Sequence, residues 1–435
     1  MFKSTCTTRL DVTGKKVTTL AKPLKAPTPA TGKFHLIKPA YARNSRTRAL
    51  ESGQITEDDK FLIEKHVAWL ARGNISPGRL NKITFHLVGA RRFIGSFREN
   101  TIDDLISGIN CLKNDEVFTV AIAGRPAHPY KQNTKRDFVS IIKKFYLWMA
   151  KNGHTDILKD DIEEIQVPAD DTMTKTAAQM FEEEEIVAMI SACGSSMERA
   201  MIATLYEGAL RIKELGTLTW NQLSFTEQNV VLNINVKTNK PRRIPLYSAK
   251  SYLAAWKADY PYPIEANSLV FVNELHSNFN HATITKRIRT IAKHAGVTKK
   301  ITAHVFRHSR ITHLQRHGVK EQTIKTLAWA NQKTKMLATY SHLCDADVDK
   351  ELSAIYGIAD VNASESHPMN PQQCAHCGMV NSPTSSYCGG CGLPLTPEAT
   401  VTTEQLAVEI QNTALYKQIM DDVQKKLLGT AIRAV

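Results

Sequence analysis

The stretch over residues 303–343 constrains this chain more than any other, because charged and aromatic residues recur there inside a helical pattern. Its apolar spacing predicts a helix over residues 304–317, which places His304 and Arg307 on one face of the first turn. An arginine fork beside an imidazole donor forms a clamp for the non-bridging oxygens of a phosphate. Tyr340, if brought to that clamp, would be a nucleophile rather than a packing residue.

The charge balance of the chain favours a polyanionic partner. Lys and Arg number 56 against 42 Asp and Glu, which gives a net charge of +14 over 435 residues, and such a basic surface is typical of nucleic-acid-binding proteins. The length suffices for two or three domains with their own cores. No apolar run approaches the roughly 18–20 residues of a membrane span, and no secretion signal is recognisable. We therefore expect a cytoplasmic, nucleoid-associated protein with no membrane partner.

Residues 1–48 predict a basic flexible arm. They carry eleven cations against one acid, and their prolines interrupt any helix. Such an arm either stays solvated or lies along DNA phosphates, and the sequence leaves both alternatives open.

Helical patterns over residues 49–160 predict a small all-α domain. Thr56 and Thr101 each precede an acidic residue three positions on, as in a capping box at a helix start. Cations fall outside the apolar faces of two of these helices, where they are either solvated or in contact with DNA. The candidate DNA-binding cations of this domain are Arg91, Arg92, Lys135, Arg136, Lys143 and Lys144.

An acidic, proline-containing linker over residues 161–174 precedes a second domain over residues 175–357. In the second domain, β-branched alternation over residues 229–237 predicts a strand, and residues 243–246 predict its antiparallel partner. A lysine at the mouth of such a hairpin either is solvated or reaches across to a bound partner. Lys237 lies at this place, and Lys240 and Arg242 beside it are further candidate DNA-binding cations.

Five elements in this order resemble the tyrosine recombinase (phage integrase) family, in its Xer-like and archaeal-integrase style. They are Arg211 within LRIKEL, Lys237 on the hairpin, His304-x-x-Arg307-His308, Trp329, and Tyr340 within TYSHL. The resemblance covers about residues 175–345 well, and residues 49–160 only by helical character and position. Ala209, Lys213 and the Ala328-Trp329 pair depart from the family's more usual residues.

The resemblance implies a fold and an activity. The expected fold is mainly α with a small antiparallel β hairpin or sheet (α+β), comprising a helical SAM-like core-binding domain that clamps DNA and a catalytic domain. The expected activity is site-specific recombination of double-stranded DNA by a homo-tetramer on paired sites. Catalysis in this family requires no metal or nucleotide. A type IB topoisomerase-like enzyme and a catalytically idle DNA-binding accessory protein on the same fold are the alternatives.

The resemblance also implies catalytic roles. Tyr340 would attack a DNA phosphodiester, leaving a 3′-phosphotyrosyl link and a free 5′-hydroxyl. Arg211 and Arg307 would hold the non-bridging oxygens. His304 would donate a hydrogen bond or accept a proton, and Trp329 would donate its indole N–H to the phosphate.

The remaining implied roles concern the leaving group and the support of the arginines. Lys237 would protonate the leaving 5′-oxygen as a general acid, although Lys240 in the same turn is an alternative. Glu214, one helical turn after Arg211, would hold that arginine in place. His308 would support the neighbouring clamp residue.

Two C-x-x-C pairs over residues 370–396 predict a zinc ribbon. Each pair is followed by a glycine, Gly378 or Gly392, that permits the tight turn around a metal-bound thiolate. The other cysteines are scattered, which favours a reducing compartment and a structural zinc over a pair of disulfides. The predicted ligands are Cys374, Cys377, Cys388 and Cys391.

Residues 400–430 predict a C-terminal amphipathic helix, because apolar residues recur near one face. The helix either packs on its own domain or associates with a second copy of the chain, and the sequence does not separate these alternatives.

Overall fold

The computed structural model describes residues 7–10, 16–19, 34, 40–121, 124–171, 177–235, 241–273, 279–334, 337 and 367–431. The chain divides into two compact units, Leu36–Thr174 and the combination of Met1–His35 with Lys175–Val435. Helices dominate, and the sheets are small and antiparallel. The predicted mainly α fold with a small antiparallel sheet is therefore confirmed.

The Leu36–Thr174 unit consists of helices around one apolar core. In chain order these are α1 (Ala40–Glu51), α2 (Glu57–Ala71), α3 (Pro77–Ala90), α4 (Ile102–Lys113), α5 (Gln132–Lys151) and α6 (Lys159–Glu164). Both predicted capping boxes are present: the Thr56 hydroxyl accepts from the Asp59 N–H at 3.1 Å, and the Thr101 hydroxyl accepts from the Asp104 N–H at 3.3 Å. These caps fix where α2 and α4 begin.

Within residues 1–48, where a flexible arm was predicted, the structure contains a short hairpin and the start of a helix. Helix α1 already begins at Ala40, because Pro39 precedes the helix, where a missing N–H costs nothing. Strand β1 (Thr7–Leu10) pairs antiparallel with β2 (Lys16–Thr19). Phe34 is buried in the core of the second unit, and its carbonyl accepts from the His281 N–H at 3.1 Å.

The second unit packs helices against a three-stranded sheet. Its helices are α7 (Glu183–Ser191), α8 (Ser196–Glu207), α9 (Ile212–Gly216), α10 (Lys250–Ala258), α11 (His281–His294), α12 (Ala303–Arg316) and α13 (Glu321–Trp329). The antiparallel sheet has the order β3 (Leu223–Phe225), β4 (Val230–Asn235), β5 (Pro241–Leu246). The predicted hairpin corresponds to β4 and β5, with Leu232 opposite Ile244. Strand β3 was not predicted, because it spans only three residues.

The C-terminal part begins with a short hairpin, β6 (Gln372–Gln373) and β7 (Val380–Asn381), and continues into α14 (Pro397–Asn412) and α15 (Ala414–Ala431). The single helix predicted over residues 400–430 is thus two helices. Thr413 separates them because its backbone is extended and its hydroxyl accepts from the Tyr416 N–H at 3.2 Å. Across the part of the chain that the structure describes, no helix combines the length and hydropathy needed to cross a bilayer.

Histidine 66 on α2 makes the helical unit sensitive to acid. The ring is 3% exposed among aromatic side chains, and burial lowers its pKa to about 4. At pH values between the ordinary pKa of about 6.5 and this lowered pKa, the unfolded chain binds a proton that the folded chain does not. The free energy of unfolding therefore decreases as the pH decreases.

We expect His66 alone to reduce the free energy of unfolding by about 2 kcal/mol between pH 7 and pH 5. Urea unfolding of wild type and His66→Phe at both pH values measures this, because the variant lacks the titrating ring. An equal pH dependence in the two proteins would contradict the prediction.

Candidate active site

Helix α12 directs an arginine into the core and a histidine toward solvent. The Thr302 hydroxyl caps the helix by accepting from the Val305 N–H at 3.3 Å. Arg307 is 2% exposed, whereas His304, three residues earlier, is exposed. The His304 ring meets the His308 ring edge-on, with their centroids 4.9 Å apart. The predicted first-turn clamp therefore has a buried guanidinium and an accessible imidazole.

Two backbone carbonyls fix the Arg307 guanidinium. Its Nη1 donates to the Ala209 carbonyl oxygen, and its Nη2 donates to the Ala328 carbonyl oxygen at 2.6 Å. The guanidinium carbon also lies 5.2 Å from the centre of the Trp329 ring, within cation–π range. These contacts join α12 to the end of α13 and to the segment just before Arg211.

Arg211 stands at the N-terminus of α9 and is held by Glu214. Its backbone N–H donates to Glu214 Oε2 at 2.8 Å, and its Nη1 donates to Oε1 at 2.7 Å. The Arg211 side chain remains 41% exposed, whereas Glu214 is 12% exposed. One end of the guanidinium is therefore anchored while much of the side chain faces solvent.

Arg242 on β5 departs furthest from its sequence-based prediction as an exposed DNA contact. It was a candidate DNA contact, yet it is 1% exposed, donates from Nη2 to Glu214 Oε2 at 2.7 Å and donates from Nη1 to the Ala328 carbonyl oxygen at 2.5 Å. Strand alternation explains this, because Arg242 shares the inward face of β5 with Ile244 and Leu246. That alternation was visible in the sequence and could have identified it.

These contacts form one continuous network. Arg211 pairs with Glu214, Glu214 pairs with Arg242, and Arg242 and Arg307 both donate to the Ala328 carbonyl. Two guanidiniums thus pair with one carboxylate and a third is joined to them through a shared carbonyl, so these four residues carry three positive charges against one negative charge. We call Arg211, Glu214, Arg242 and Arg307 the arginine network, and its surplus charge suits an anion.

The Glu214 carboxyl stays ionised within this network. Burial alone would raise its pKa, but attraction from Arg242 and hydrogen bonds from Arg211 together lower the pKa below its ordinary value.

Ala209 adopts a left-handed backbone, with φ of +44°, at the point where the family more usually has Gly. This turn directs its carbonyl to Arg307, and its methyl group is fully buried in a small apolar cluster. Ala330, with φ of +50°, ends α13 in the same conformation, but it is only half-buried.

Ala330→Gly is expected to raise the free energy of unfolding by about 1 kcal/mol, because glycine adopts the left-handed conformation without the Cβ penalty. Ala209→Gly is the matched control. Its backbone gain is offset by loss of one buried methyl, worth about 0.8 kcal/mol, so little net change is expected. Urea unfolding of both variants tests the pair, and a destabilised Ala330→Gly would contradict it.

Three predicted site residues, Tyr340, Lys237 and Lys240, lie outside the described residues. The structure brings together Arg211, Arg307, Trp329 and Glu214, and it places His304 and His308 on the same helix as Arg307. Their roles in catalysis remain predictions.

The candidate DNA-binding cations of the helical unit fall into three groups. Lys135 is 6% exposed and donates to the Lys113 carbonyl at 2.8 Å, so its prediction as a DNA contact is wrong: its stem lies along the buried face of α5. Other cations of the set have intramolecular partners: Arg91 pairs with Asp59 at 2.7 Å, Arg92 donates to the Phe118 carbonyl at 3.3 Å, and Lys143 donates to the Glu163 carbonyl at 2.6 Å. Lys144 is exposed and Arg136 half-buried.

The four predicted cysteine ligands converge on one point. Their sulfur atoms lie within 4.8 Å of one another. Sγ of Cys374 is 3.6 Å from Sγ of Cys391, and Sγ of Cys377 is 3.5 Å from Sγ of Cys388. Four thiolates at about 2.3 Å from a tetrahedral Zn²⁺ lie about 3.8 Å apart, so this group can hold a metal ion.

Backbone geometry shapes the two turns that carry these thiols. Gly378 and Gly392 have φ of +73° and +75°, which closes the two turns. Hydrogen bonds from the backbone N–H groups of Cys391 and Gly390 lower the pKa of Cys388 to about 6, which favours the thiolate that metals bind.

Comparison with known proteins identifies a family and several relatives to which this chain is similar. Residues 179–346 match the model of the phage integrase family. The chain is 24% identical over 234 residues to the tyrosine recombinase XerD of Pseudomonas putida, covering 52% of this chain and 76% of that protein. It is 28% identical over 193 residues to transposase A from transposon Tn554 of Staphylococcus aureus, covering 41% of this chain and 53% of the transposase.

A solved structure of the XerH site-specific recombinase bound to palindromic difH substrate is 15% identical to this chain, with a TM-score of 0.48. The match covers 77% of this chain and 100% of the XerH chain. Residues 179–346, which carry Arg211 and Arg307, are therefore a domain of the phage integrase family, and the relatives of this chain include tyrosine recombinases.

Proposed function

We propose that this tyrosine recombinase cuts and rejoins duplex DNA at a specific site, with the arginine network holding the reacting phosphate. The observation that carries the proposal is the continuity of that network. Arg211 and Arg307 are 96 residues apart in number (307 − 211), yet both connect to the Ala328 carbonyl, Arg307 directly and Arg211 through Glu214 and Arg242. A phosphate beside Arg211 would meet a preorganised positive field.

The proposed chemistry is a transesterification. The Tyr340 phenolate oxygen bonds to phosphorus while the bond from phosphorus to the 5′-oxygen breaks, and the leaving oxygen takes a proton from Lys237 or Lys240. Arg211 and Arg307 neutralise the charge that develops on the non-bridging oxygens. Because the phosphate bond is kept as a phosphotyrosyl ester, a 5′-hydroxyl can reverse the step and no ATP is needed.

The remaining site residues would serve the same phosphate. His304 is exposed beside Arg307 on α12 and is accessible to a ligand. Trp329 lies against the Arg307 guanidinium, where it restricts the orientation of the fork.

DNA would also contact the helical unit. On α5, Lys144 is exposed and Arg136 is half-buried, so both can present charge to a phosphate, although basic side chains alone do not specify a sequence. We further propose that the enzyme acts as a homo-tetramer on two paired sites.

A nicked suicide substrate tests the proposal, because loss of the short product strand traps the covalent intermediate. Wild type should give a covalent protein–DNA band on denaturing gels, and Tyr340→Phe should abolish it while DNA binding persists. Absence of the band with wild type would favour a DNA-binding accessory protein. Relaxation of supercoiled DNA without sequence preference would instead favour a type IB topoisomerase-like enzyme.

The cysteine group would hold a structural Zn²⁺. Residues 370–396 have too few apolar side chains for a core, so a bound ion would supply folding free energy on the order of 10 kcal/mol. Removal of metal by a chelator should abolish amide hydrogen-exchange protection in β6 and β7 and leave α12 protected. Protection that persists in β6 and β7 without metal would contradict a structural role.

A further inference from the structure

A second group of metal-ligating side chains lies in the Lys175–Val435 part of the chain, apart from the cysteine group. Glu183 opens α7, His317 caps the end of α12, and His367 is the first described residue after Leu337. One donor atom from each lies within 4.8 Å of the other two. We call these three residues the Glu183 cluster.

The distances within the Glu183 cluster fit a bridging ion better than direct hydrogen bonds. His317 Nε2 lies 3.8 Å from Glu183 Oε1, and His367 Nδ1 lies 3.9 Å from Glu183 Oε2. A hydrogen bond between nitrogen and oxygen spans about 2.7–3.2 Å. Two ligands bound to one Zn²⁺ at about 2.0–2.2 Å stand about 3.3–3.6 Å apart, so shifts of a few tenths of an ångström would close the site.

The two imidazoles already lie against each other. The ring centroids of His317 and His367 are 3.6 Å apart, with an angle of 33° between their planes. Both rings lie beside a carboxylate that is only 8% exposed. A buried carboxylate with two adjacent imidazoles matches the ligand set of many sites for Zn²⁺.

A hydrogen-bond chain orients the carboxylate from behind. The Tyr206 hydroxyl donates to Glu183 Oε1 at 3.0 Å and lies 2.7 Å from His313 Nδ1. Because that hydroxyl proton is directed to the carboxylate, we assign the Nδ1 proton of His313 to the bond with the Tyr206 oxygen. Metal ligands commonly have such outer partners, which fix their orientation.

We propose that Glu183, His317 and His367 bind a second Zn²⁺, with water completing the coordination. The ion would join the start of α7, the end of α12 and the chain at His367. Tyr340 lies in the sequence between Leu337 and His367. The ion would therefore fix the point at which the segment carrying the proposed nucleophile rejoins the described part of the domain.

Metal stoichiometry of the full chain tests this inference without any measurement of activity. After loading with Zn²⁺ and desalting, wild type should contain two zinc ions per chain, one in the cysteine group and one in the Glu183 cluster. Glu183→Gln/His317→Gln/His367→Gln should contain one. His376→Gln, which changes an exposed histidine of the ribbon, is the matched control and should keep two. One zinc in wild type, or two in the triple variant, would overturn the inference.

A second measurement keeps all three ligands in place and so does not depend on the folding of the triple variant. Tyr206→Phe removes the outer hydrogen bond to Glu183 together with the bond from His313, and it should weaken the second zinc by about 10–100-fold in dissociation constant. The zinc of the cysteine group should be unaffected. Equal affinities for the second zinc in wild type and Tyr206→Phe would overturn the proposed geometry of the cluster.

Discussion

Arg211→Ala is expected to slow DNA cleavage by about 10²–10³-fold, equivalent to about 3–4 kcal/mol of barrier, because it removes one preorganised donor from the reacting phosphate. The fold should tolerate the change. Arg211 is 41% exposed, and Glu214 keeps its pair with Arg242. A loss of less than about 1 kcal/mol in the free energy of unfolding is therefore expected. Single-turnover cleavage of the suicide substrate, with urea unfolding alongside, measures both quantities.

Arg307→Ala is the contrasting variant. Its guanidinium is 2% exposed and donates to the carbonyls of Ala209 and Ala328. Removing it takes the Arg307 donor from the Ala209 carbonyl, at about 1–3 kcal/mol, whereas the Ala328 carbonyl keeps its bond from Arg242. Arg307→Ala should therefore lose both cleavage and stability, whereas Arg211→Ala should lose cleavage alone. If Arg211→Ala cleaved DNA at the wild-type rate, Arg211 would not be an active-site residue.

Glu214→Gln is expected to lower the free energy of unfolding by about 3–5 kcal/mol, the cost of leaving a buried charge without its partner. Arg242 is 1% exposed, and its Nη2 donates directly to the Glu214 carboxylate. Neutralising the carboxylate leaves Arg242 charged inside the unit. Urea unfolding at neutral pH measures the loss.

The double variant Glu214→Leu/Arg242→Met is the control for this prediction. It removes both charges and fills the space with apolar groups, so it should unfold with a free energy closer to wild type than Glu214→Gln does. The Ala328 carbonyl keeps its bond from Arg307 in this variant. If Glu214→Gln were as stable as wild type, the pair would have no structural role.

Much of this architecture follows from local signals in the sequence. The capping residues Thr56 and Thr101 start α2 and α4 where the sequence placed them. The β-branched run predicted β4, and the C-x-x-C spacing predicted a cysteine group that converges within 4.8 Å. In each instance the determining interaction is between residues close in sequence, so a pattern is enough to predict it.

The structure differs from the sequence-based predictions where contacts between distant parts of the chain determine the position of a side chain. Lys135 looked like a surface cation on α5, but its ammonium reaches the Lys113 carbonyl and Asp115, both on the other side of a loop. Arg242 looked like a hairpin cation until its acceptors, Glu214 and Ala328, came together around it. A buried cation is stable only when its partners are present. Alternation along β5 marks Arg242 as inward-facing, but no local pattern identifies the distant partners that make its burial stable.

The Glu183 cluster likewise depends on contacts between residues that are distant in sequence. Glu183, His317 and His367 share no motif, and each alone is an ordinary polar residue at the end of an element or in a loop. Only the packing of α7 and α12 on α8 and the return of the chain at His367 bring the three together.

The most direct measurement replaces the scissile phosphate with a methylphosphonate, in which a methyl group takes the place of one charged non-bridging oxygen. If Arg211 and Arg307 act by neutralising that phosphate, a substrate that lacks the charge no longer needs both guanidiniums. The cleavage defect of Arg211→Ala should then shrink from about 10²–10³-fold to less than about 10-fold. An undiminished defect on the neutral substrate would show that Arg211 acts elsewhere, and the proposed site would be wrong.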